Sequence, residues 1–269
     1  MDSSGKPCVY HTATLHPELQ ALLEHEFNMV HEKDAEALRE KITAIFCFVN
    51  VPITKDLLER FPNLKVVGNC AVGYNHVDLK ACAARDIRVG YTPNVLNAAT
   101  ADMAWALLLA AARRVVEGDK IAKSPNTSKF DTNWYGYQVS STTLGIIGMG
   151  RIGMEIAKRA GGFGMRILYY NRHKKSKEEE DQVGATYVPS LKDLLSQSDH
   201  VVLCAPASKD TQHMMAAEQF GAMKRTAIFV NVSRGTLVDQ DALADALTSG
   251  TIAAAGLDAL PHCRHREKW

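Results

Sequence analysis

Residues 143–173 read TLGIIGMGRIGMEIAKRAGGFGMRILYYNRH and decide the fold of this chain. A short apolar run, LGII, is followed at once by the pattern G-x-G-x-x-G and then by a segment with helical periodicity. A second apolar run, RILYY, comes next. Strand, glycine-rich turn, helix and strand within about 30 residues predict a βαβ unit, which joins two parallel strands.

The glycine-rich turn predicts a dinucleotide-binding site. Gly148 permits a tight turn, Gly150 lets the backbone approach a pyrophosphate, and Gly153 lets the helix pack closely on the strand. Arg151 and Ile152 open the helix, whose first N–H groups favour an anion. A glycine-rich turn without a ligand is the alternative, but the strand before it and the helix after it favour the dinucleotide.

The end of the second strand indicates which dinucleotide binds. Sites for NAD(H) usually place an acidic residue about 20 residues further on, where it bonds the ribose 2′-hydroxyl. Asn171 and Arg172 occupy that place, and His173, Lys174 and Lys175 follow them. Because such a cationic turn would attract a 2′-phosphate, we expect NADP(H) to be preferred, with NAD(H) as the alternative. A solvated basic turn balanced by the following EEED is the interpretation without a ligand.

The alternation of strand and helix extends in both directions from this unit. Six apolar runs from Leu144 onward predict a doubly wound parallel sheet of the Rossmann type. Roughly the first hundred residues show a similar rhythm and predict a second α/β domain. Between them we expect a helix over residues 98–116, with Asn97 as its N-cap and Gly118 as its stop. The polar segment at residues 119–141 reads as a connecting arm.

Composition and charge exclude several classes of function. The chain has 269 residues, 46% apolar and 23% charged, and a formal net charge of +1. Nothing in this balance argues for binding to nucleic acid or to a membrane surface. The N-terminus lacks the apolar core of a signal peptide, and the longest apolar run, residues 103–112, is too short to span a bilayer. Six scattered cysteines without a C-x-x-C pair favour reduced thiols and a cytoplasmic location.

Another signal lies in FVNVSRGTLVD at residues 229–239. An apolar strand ends in a polar turn that carries Arg234, at the edge of the sheet where open α/β folds bind ligands. A guanidinium there can hold a carboxylate and a keto oxygen, and can stabilise charge that develops on that oxygen. A surface arginine that caps a loop is the alternative, and position alone does not decide between them.

Five segments together resemble one known family. NCAVGYNHVDL, GYTPNVLNAATADMAWALLLAAARR, LGIIGMGRIG, NVSRGTLVDQDAL and GTIAAAGLD occur in the order found in the D-isomer-specific 2-hydroxyacid dehydrogenases. Within that family the likeness is to the glyoxylate and hydroxypyruvate reductases. The resemblance implies an NADPH-dependent oxidoreductase that converts a small 2-keto acid to a 2-hydroxy acid, and it implies a homodimer.

The same resemblance implies a domain arrangement. Residues 1–97 would form a flavodoxin-like substrate domain that lacks its C-terminal part. Residues 98–260 would form the Rossmann domain. Residues 261–269 no longer resemble the family and read as a divergent tail, so we expect the chain to be truncated at its end.

Several site residues are carried over from the family. Backbone groups of Val72 and Gly73 would hold the substrate carboxylate. Arg234 would contact the substrate and act as the catalytic arginine. Three residues at strand ends would approach the nicotinamide: Ala205, Val232 and Asp258.

In the resembled family a glutamate and then a histidine follow the GLD strand, and the histidine is the general acid. Cys263 stands where the glutamate is expected. We reject His262 as the acid, because it lies only four residues past Asp258 whereas the family's histidine lies beyond a further strand. We also reject a metal site built from His262, Cys263 and His265. Turnover by this chain is therefore expected to be impaired.

A non-catalytic dinucleotide-binding scaffold is the competing hypothesis. The C-terminal-binding-protein corepressors resemble the same family and use the cofactor to control assembly. A partner-binding groove in the first domain would favour this reading, and nothing in PCVYHTATLHPELQALLEHEF indicates one. A degraded product without a folded role is a third hypothesis.

Overall fold

The computed structural model describes residues 5–49, 51–125 and 134–259. The chain divides into two compact units, Met1–Leu96 and Asn97–Trp269. This boundary lies one residue before the one expected from the sequence. Each unit is built on its own parallel sheet.

The first unit alternates strands and helices. Its elements are β1 (Cys8–His11), α1 (Pro17–Glu26), β2 (Asn28–Val30), α2 (Glu32–Ala35), β3 (Ile42–Cys47), α3 (Lys55–Glu59), β4 (Val66–Asn69), α4 (Leu79–Ala83) and β5 (Arg88–Gly90). All strand pairs are parallel, in the order β2-β1-β3-β4-β5. That order is typical of flavodoxin-like domains, which confirms the predicted class of this unit.

The second unit begins with two helices and continues as a doubly wound sheet. Its elements are α5 (Asn97–Ala112), α6 (Val115–Ala122), β6 (Thr143–Ile147), α7 (Arg151–Ala160), β7 (Arg166–Tyr170), α8 (Lys177–Asp181), β8 (Ala185–Tyr187), α9 (Leu191–Gln197), β9 (His200–Leu203), α10 (Ala217–Gly221), β10 (Ile228–Asn231), α11 (Gln240–Thr248) and β11 (Ala254–Leu257). The strand order is β11-β10-β9-β6-β7-β8, and every pair is parallel. This is the predicted Rossmann sheet, with its topological switch point between β6 and β9.

The core of the second unit places α5 directly against the sheet. Leu108 of α5 is 1% exposed, and the indole Nε1 of Trp105 donates to the carbonyl oxygen of Ile156 in α7 at 3.1 Å. A Cβ on Gly256 would lie 2.9 Å from the Cβ of Leu107. Strand β11 therefore packs closely on α5 at Leu107, and glycine is the residue that permits this approach.

The predicted helix over residues 98–116 was wrong only in its last four residues. Helix α5 ends at Ala112, and Arg114 has a left-handed φ of +54°, which interrupts the helical hydrogen bonds. Its guanidinium pairs with Glu117 at 2.6 Å. Gly118 lies inside α6 rather than ending a helix. A Cβ there would come 2.8 Å from the ring of Trp134. The first residues of the expected connecting arm are thus helical.

Candidate functional site

The turn after β6 lies at the switch point of the second sheet. Gly148, its first residue, has a φ of +102°, which side chains rarely tolerate. A Cβ there would come within 2.7 Å of the backbone nitrogen of Ala205. The backbone conformation and the close approach of the chain after β9 both require glycine at this position.

Gly150 and Gly153 differ in what surrounds them. Among the residues that the structure describes, no atom lies within 4 Å of a Cβ built on Gly150. A Cβ on Gly153 would strike the carbonyl oxygen of Gly148. Helix α7 has ten residues, and no side chain caps its N-terminus. An open glycine beside an uncapped helix N-terminus fits the pyrophosphate of a dinucleotide.

Asn171, the residue in the place of the expected acid, faces the glycine-rich turn. Its Oδ1 accepts a hydrogen bond from the backbone N–H of Met149 at 2.7 Å. The side chain therefore joins the ends of β6 and β7 and brings no charge to this edge of the sheet. A phosphate here would meet no repelling carboxylate from this position.

The cationic turn after Asn171 divides into two pairs of residues. The Nζ of Lys174 lies 3.5 Å from Glu180, and the Nζ of Lys175 lies 2.8 Å from Glu179. Within the described ranges, Arg172 and His173 form no ion pair, and both are exposed. The following acidic residues thus balance the two lysines and leave the charge of Arg172 available.

The ends of β9, β10 and β11 lie side by side, because these strands are neighbours in the sheet. Ala205 and Val232 are 8% and 6% exposed and form an apolar surface after β9 and β10. Asp258 follows β11, is exposed, and donates its backbone N–H to the carbonyl oxygen of Asn231 at 3.0 Å. Two small apolar residues and one carboxylate therefore line this part of the edge.

Cys204, the residue that follows β9, stabilises the glycine-rich turn by a hydrogen bond. Its Sγ donates to the carbonyl oxygen of Gly148 at 3.0 Å, and burial raises the pKa of the thiol to about 12. The thiol therefore stays protonated and serves as a structural donor rather than a nucleophile.

Arg234 is carried by a turn that a buried asparagine shapes. Asn231, 1% exposed at the end of β10, donates its Nδ2 to the carbonyl oxygen of Arg234 at 3.1 Å and accepts the N–H of Ser233 at 2.9 Å. The hydroxyl of Ser233 donates to the carbonyl oxygen of Ala205. Arg234 is half-buried, and its Nη1 donates to the carbonyl oxygen of Ser233 at 2.9 Å. No carboxylate of the described residues pairs with it, so the guanidinium can still bind an anion.

In the first unit, the loop after β4 has a similar construction. Asn69 ends the strand, is 2% exposed, and donates its Nδ2 to the carbonyl oxygens of Ala71 at 3.3 Å and Gly73 at 2.9 Å. Val72 and Gly73 are half-buried within that loop. Both hydrogen bonds end on carbonyl oxygens of the loop, so neither of them uses a backbone N–H group of the loop.

Sequence reasoning missed Asn69 and Asn231. Each closes a short apolar strand, in VVGN and IFVN, where a polar residue at the end of a buried run was the available signal. Buried amides at such positions must find hydrogen-bond partners, and the loops that follow the strands supply them.

Neither a metal-binding cluster nor a membrane-spanning helix occurs in the described ranges. No group of three His, Cys, Asp or Glu residues there could hold a metal ion. His262, Cys263 and His265 lie outside the described residues. No described helix is long and apolar enough to cross a membrane.

Comparison with known proteins places the chain in a family. Residues 105–268 match the NAD-binding domain of D-isomer-specific 2-hydroxyacid dehydrogenases. The chain belongs to this family. Strand β11, the glycine-rich turn that begins at Gly148 and the turn that carries Arg234 all lie within the matched range. This protein is therefore an NAD(P)-dependent 2-hydroxyacid dehydrogenase by descent.

Relatives of known name agree with this assignment. A glyoxylate reductase of Pyrococcus horikoshii is 44% identical over 267 residues, which cover 94% of this chain and 79% of that protein. One of Thermococcus onnurineus is 46% identical over 236 residues, covering 85% and 70%.

Solved structures with either coenzyme resemble this one. The NADPH-dependent glyoxylate/hydroxypyruvate reductase of Sinorhizobium meliloti, in complex with NADP and malonate, has a TM-score of 0.85 at 30% identity, covering 97% of this chain and 81% of its own. D-lactate dehydrogenase of Aquifex aeolicus, in complex with NAD and lactic acid, has a TM-score of 0.85 at 30% identity, covering 94% and 77%.

Proposed function

We propose that this protein reduces glyoxylate or hydroxypyruvate and prefers NADPH as the reductant. The observation that carries the coenzyme preference is the turn after β7. Neutral Asn171 is bonded to Met149, while the exposed Arg172 and His173 have no ion-pair partner in the described part of the chain. A guanidinium in this place forms charge-assisted hydrogen bonds with a 2′-phosphate, whereas NADH offers it only a hydroxyl.

The residues of the second unit fit the rest of the coenzyme. The uncapped N-terminus of α7, with Arg151 and Ile152 in its first turn, would hold the pyrophosphate at the open face of Gly150. Ala205 and Val232 would line the nicotinamide, and Asp258 would approach its carboxamide. When bound, the coenzyme supplies the hydride that reduces a keto carbon.

Arg234 would act on the substrate. Its guanidinium, held half-buried by the Asn231 turn, would bind the substrate carboxylate and keto oxygen and stabilise the negative charge that develops on that oxygen. Backbone groups of Val72 and Gly73, in the loop that Asn69 braces, would hold the carboxylate in the first unit.

We further propose that turnover by this chain is slow. A general acid typically contributes a factor of about 10²–10⁴ to the rate. The family places its acid histidine, and the glutamate that keeps it protonated, after the strand that β11 represents. Here Cys263 stands at the expected glutamate position.

We propose that the protein is a homodimer in the cytoplasm. Val116 of α6 and Tyr135 are 61% and 71% exposed, so large apolar side chains of the second unit face outward around α6. Such clusters on a protein surface commonly mark contacts with another chain. Cys8, Cys47 and Cys82 are buried free thiols, as expected in a reducing compartment.

Coenzyme titration and steady-state kinetics on the purified full chain test the proposal. NADPH and NADH binding are measured by fluorescence, and consumption of each is followed with glyoxylate and with hydroxypyruvate, beside the Arg234→Ala variant. We expect tighter binding of NADPH, slow consumption, and loss of that consumption in the variant. Equal affinity for the two coenzymes would refute the NADPH preference. NADPH binding without any turnover would instead support the scaffold hypothesis.

A further inference from the structure

Two tyrosines lie side by side beneath the cationic turn. Tyr169 of β7 and Tyr187 of β8 are register partners in adjacent parallel strands, and their ring centroids are 5.4 Å apart. The hydroxyl of Tyr187 donates to the carbonyl oxygen of Asn171 at 3.2 Å. The hydroxyl of Tyr169 accepts the backbone N–H of Lys175 at 2.8 Å. One tyrosine therefore binds the first residue of the turn, and the other binds the last.

The bond to Lys175 has a defined direction, because the hydroxyl of Tyr169 donates elsewhere. It donates to Oε1 of Glu180 at 2.8 Å, and Tyr169 and Glu180 are 0% and 7% exposed. Burial, with help from Glu180, raises the pKa of Tyr169 to about 12, so the hydroxyl remains protonated at neutral pH. A buried hydroxyl that both donates and accepts in this way holds the backbone in one arrangement.

We propose that Tyr169 and Tyr187 are positioning residues for coenzyme choice, which fix the backbone at both ends of the turn so that Arg172 and His173 meet the 2′-phosphate. This inference rests on the proposed NADPH preference. Neither tyrosine needs to touch the coenzyme. Their effect is to reduce the ordering that the turn would otherwise undergo on binding, and so to strengthen the contacts made by the residues between the two fixed ends.

The hydroxyls should therefore matter for one coenzyme and not for the other. NADH lacks the 2′-phosphate, so its binding does not depend on where Arg172 lies. A role in packing alone would weaken NADPH and NADH binding equally, because the glycine-rich turn serves both. The ratio of the two dissociation constants separates a positioning role from a structural one.

The test uses Tyr187→Phe, which removes one hydroxyl and keeps the ring. Tyr170→Phe is the matched control, since Tyr170 lies on the adjacent strand β7 and its hydroxyl makes no hydrogen bond with the described residues. Dissociation constants for NADPH and NADH are measured by fluorescence titration of the full chain, together with the Tm. We expect Tyr187→Phe to weaken NADPH binding by about 3- to 10-fold, the effect of losing one hydrogen bond. NADH binding should change by less than about twofold, and the control should leave both constants unchanged.

A second variant examines the other end of the turn and serves if Tyr187→Phe does not fold. Tyr169→Phe is made with Glu180 kept, because Lys174, whose Nζ lies 3.5 Å from Glu180, remains a partner of that carboxylate and the charge of the turn does not change. Selective loss of NADPH affinity is again expected. A wild-type chain that binds both coenzymes equally would refute the proposed function. A wild-type preference for NADPH that both variants retain would overturn the inference about the tyrosines alone.

Discussion

The backbone N–H of Met149, in the turn after β6, donates to the side chain of Asn171, the first residue after β7, at 2.7 Å. These residues are 22 positions apart in the chain. The bond joins the segment proposed for the pyrophosphate to the segment proposed for the 2′-phosphate. It also explains how an amide can stand where an acid is expected, because the amide oxygen is used within the protein.

Asn171→Asp should change the coenzyme preference. The carboxylate can still accept the N–H of Met149, so the turn is retained, but it places a negative charge beside the 2′-phosphate. We expect the dissociation constant for NADPH to rise by about tenfold or more and that for NADH to stay level or fall. Fluorescence titration measures both. Asn171→Ala is the control, because it removes the acceptor and should weaken both coenzymes. Unchanged NADPH affinity in Asn171→Asp would mean that the 2′-phosphate lies elsewhere.

Gly150→Ala should impair coenzyme binding without unfolding the protein. A methyl group there meets no described atom within 4 Å, so the Tm should shift by no more than about 2 °C. The same methyl group would occupy the face proposed for the pyrophosphate, so both dissociation constants should rise together. Gly161→Ala, at the other end of α7, also meets no described atom within 4 Å and should leave binding unchanged. Wild-type affinity in Gly150→Ala would argue against this face as the site.

Gly153→Ala should act on stability. Its methyl group would strike the carbonyl oxygen of Gly148, and would also lie 3.2 Å from the carbonyl carbon of Gly148 and 3.4 Å from the Cγ2 of Ile146. Because backbone and a buried side chain must both shift, we expect a loss of about 1–3 kcal/mol in the free energy of unfolding, measured by urea denaturation. Wild-type stability would show that α7 can move away from the turn at little cost.

Arg234→Lys should lower kcat with glyoxylate while coenzyme affinity stays constant. Lysine keeps the charge but cannot hold two oxygens in the planar, bidentate geometry of a guanidinium. Removing a group that stabilises developing charge costs about 10²–10³ in kcat, so Lys should fall between that loss and the wild type. The exposed Arg225→Ala is the control for charge alone. Equal kcat in Arg234→Lys and wild type would remove bidentate binding from the mechanism.

His200 should make stability depend on pH. The side chain is 1% exposed at the start of β9, and burial lowers its pKa against the opposing effects of the Gln138 carbonyl and Asp199. Since the folded-state pKa is below the unfolded value of about 6.5, the unfolded chain takes up the proton first. The stability that neutral, buried His200 contributes is therefore present above about pH 6.5 and is lost as the pH falls below that value.

Urea denaturation at pH 7.5 and 5.5 measures this contribution. The free energy of unfolding should fall on acidification, and His200→Gln, which cannot titrate, should show a smaller fall. An identical fall in both proteins would assign the pH dependence to other groups.

The fold was predictable because its signals are local. The run LGII before Gly148 and the run RILYY after the helical pattern became β6 and β7, and all six strands predicted from Leu144 onward are present among the described residues. The helix over residues 98–116 failed for the opposite reason. Arg114 takes a left-handed backbone conformation, and Gly118 packs against the ring of Trp134. Helical periodicity in the sequence predicts neither feature.

The site was predictable only as a set of positions. The sequence by itself determined which residues follow each strand, since strand order along the chain and glycine spacing are properties of neighbouring residues. Only the tertiary structure decided how those residues are used. Lys174 and Lys175 turned out to pair with glutamates of α8, and Asn171 with Met149, and two tyrosines hold the ends of the turn between them. Such hydrogen bonds and ion pairs depend on distances of a few ångströms between separate segments, which exist only after the sheet has brought the strand ends together.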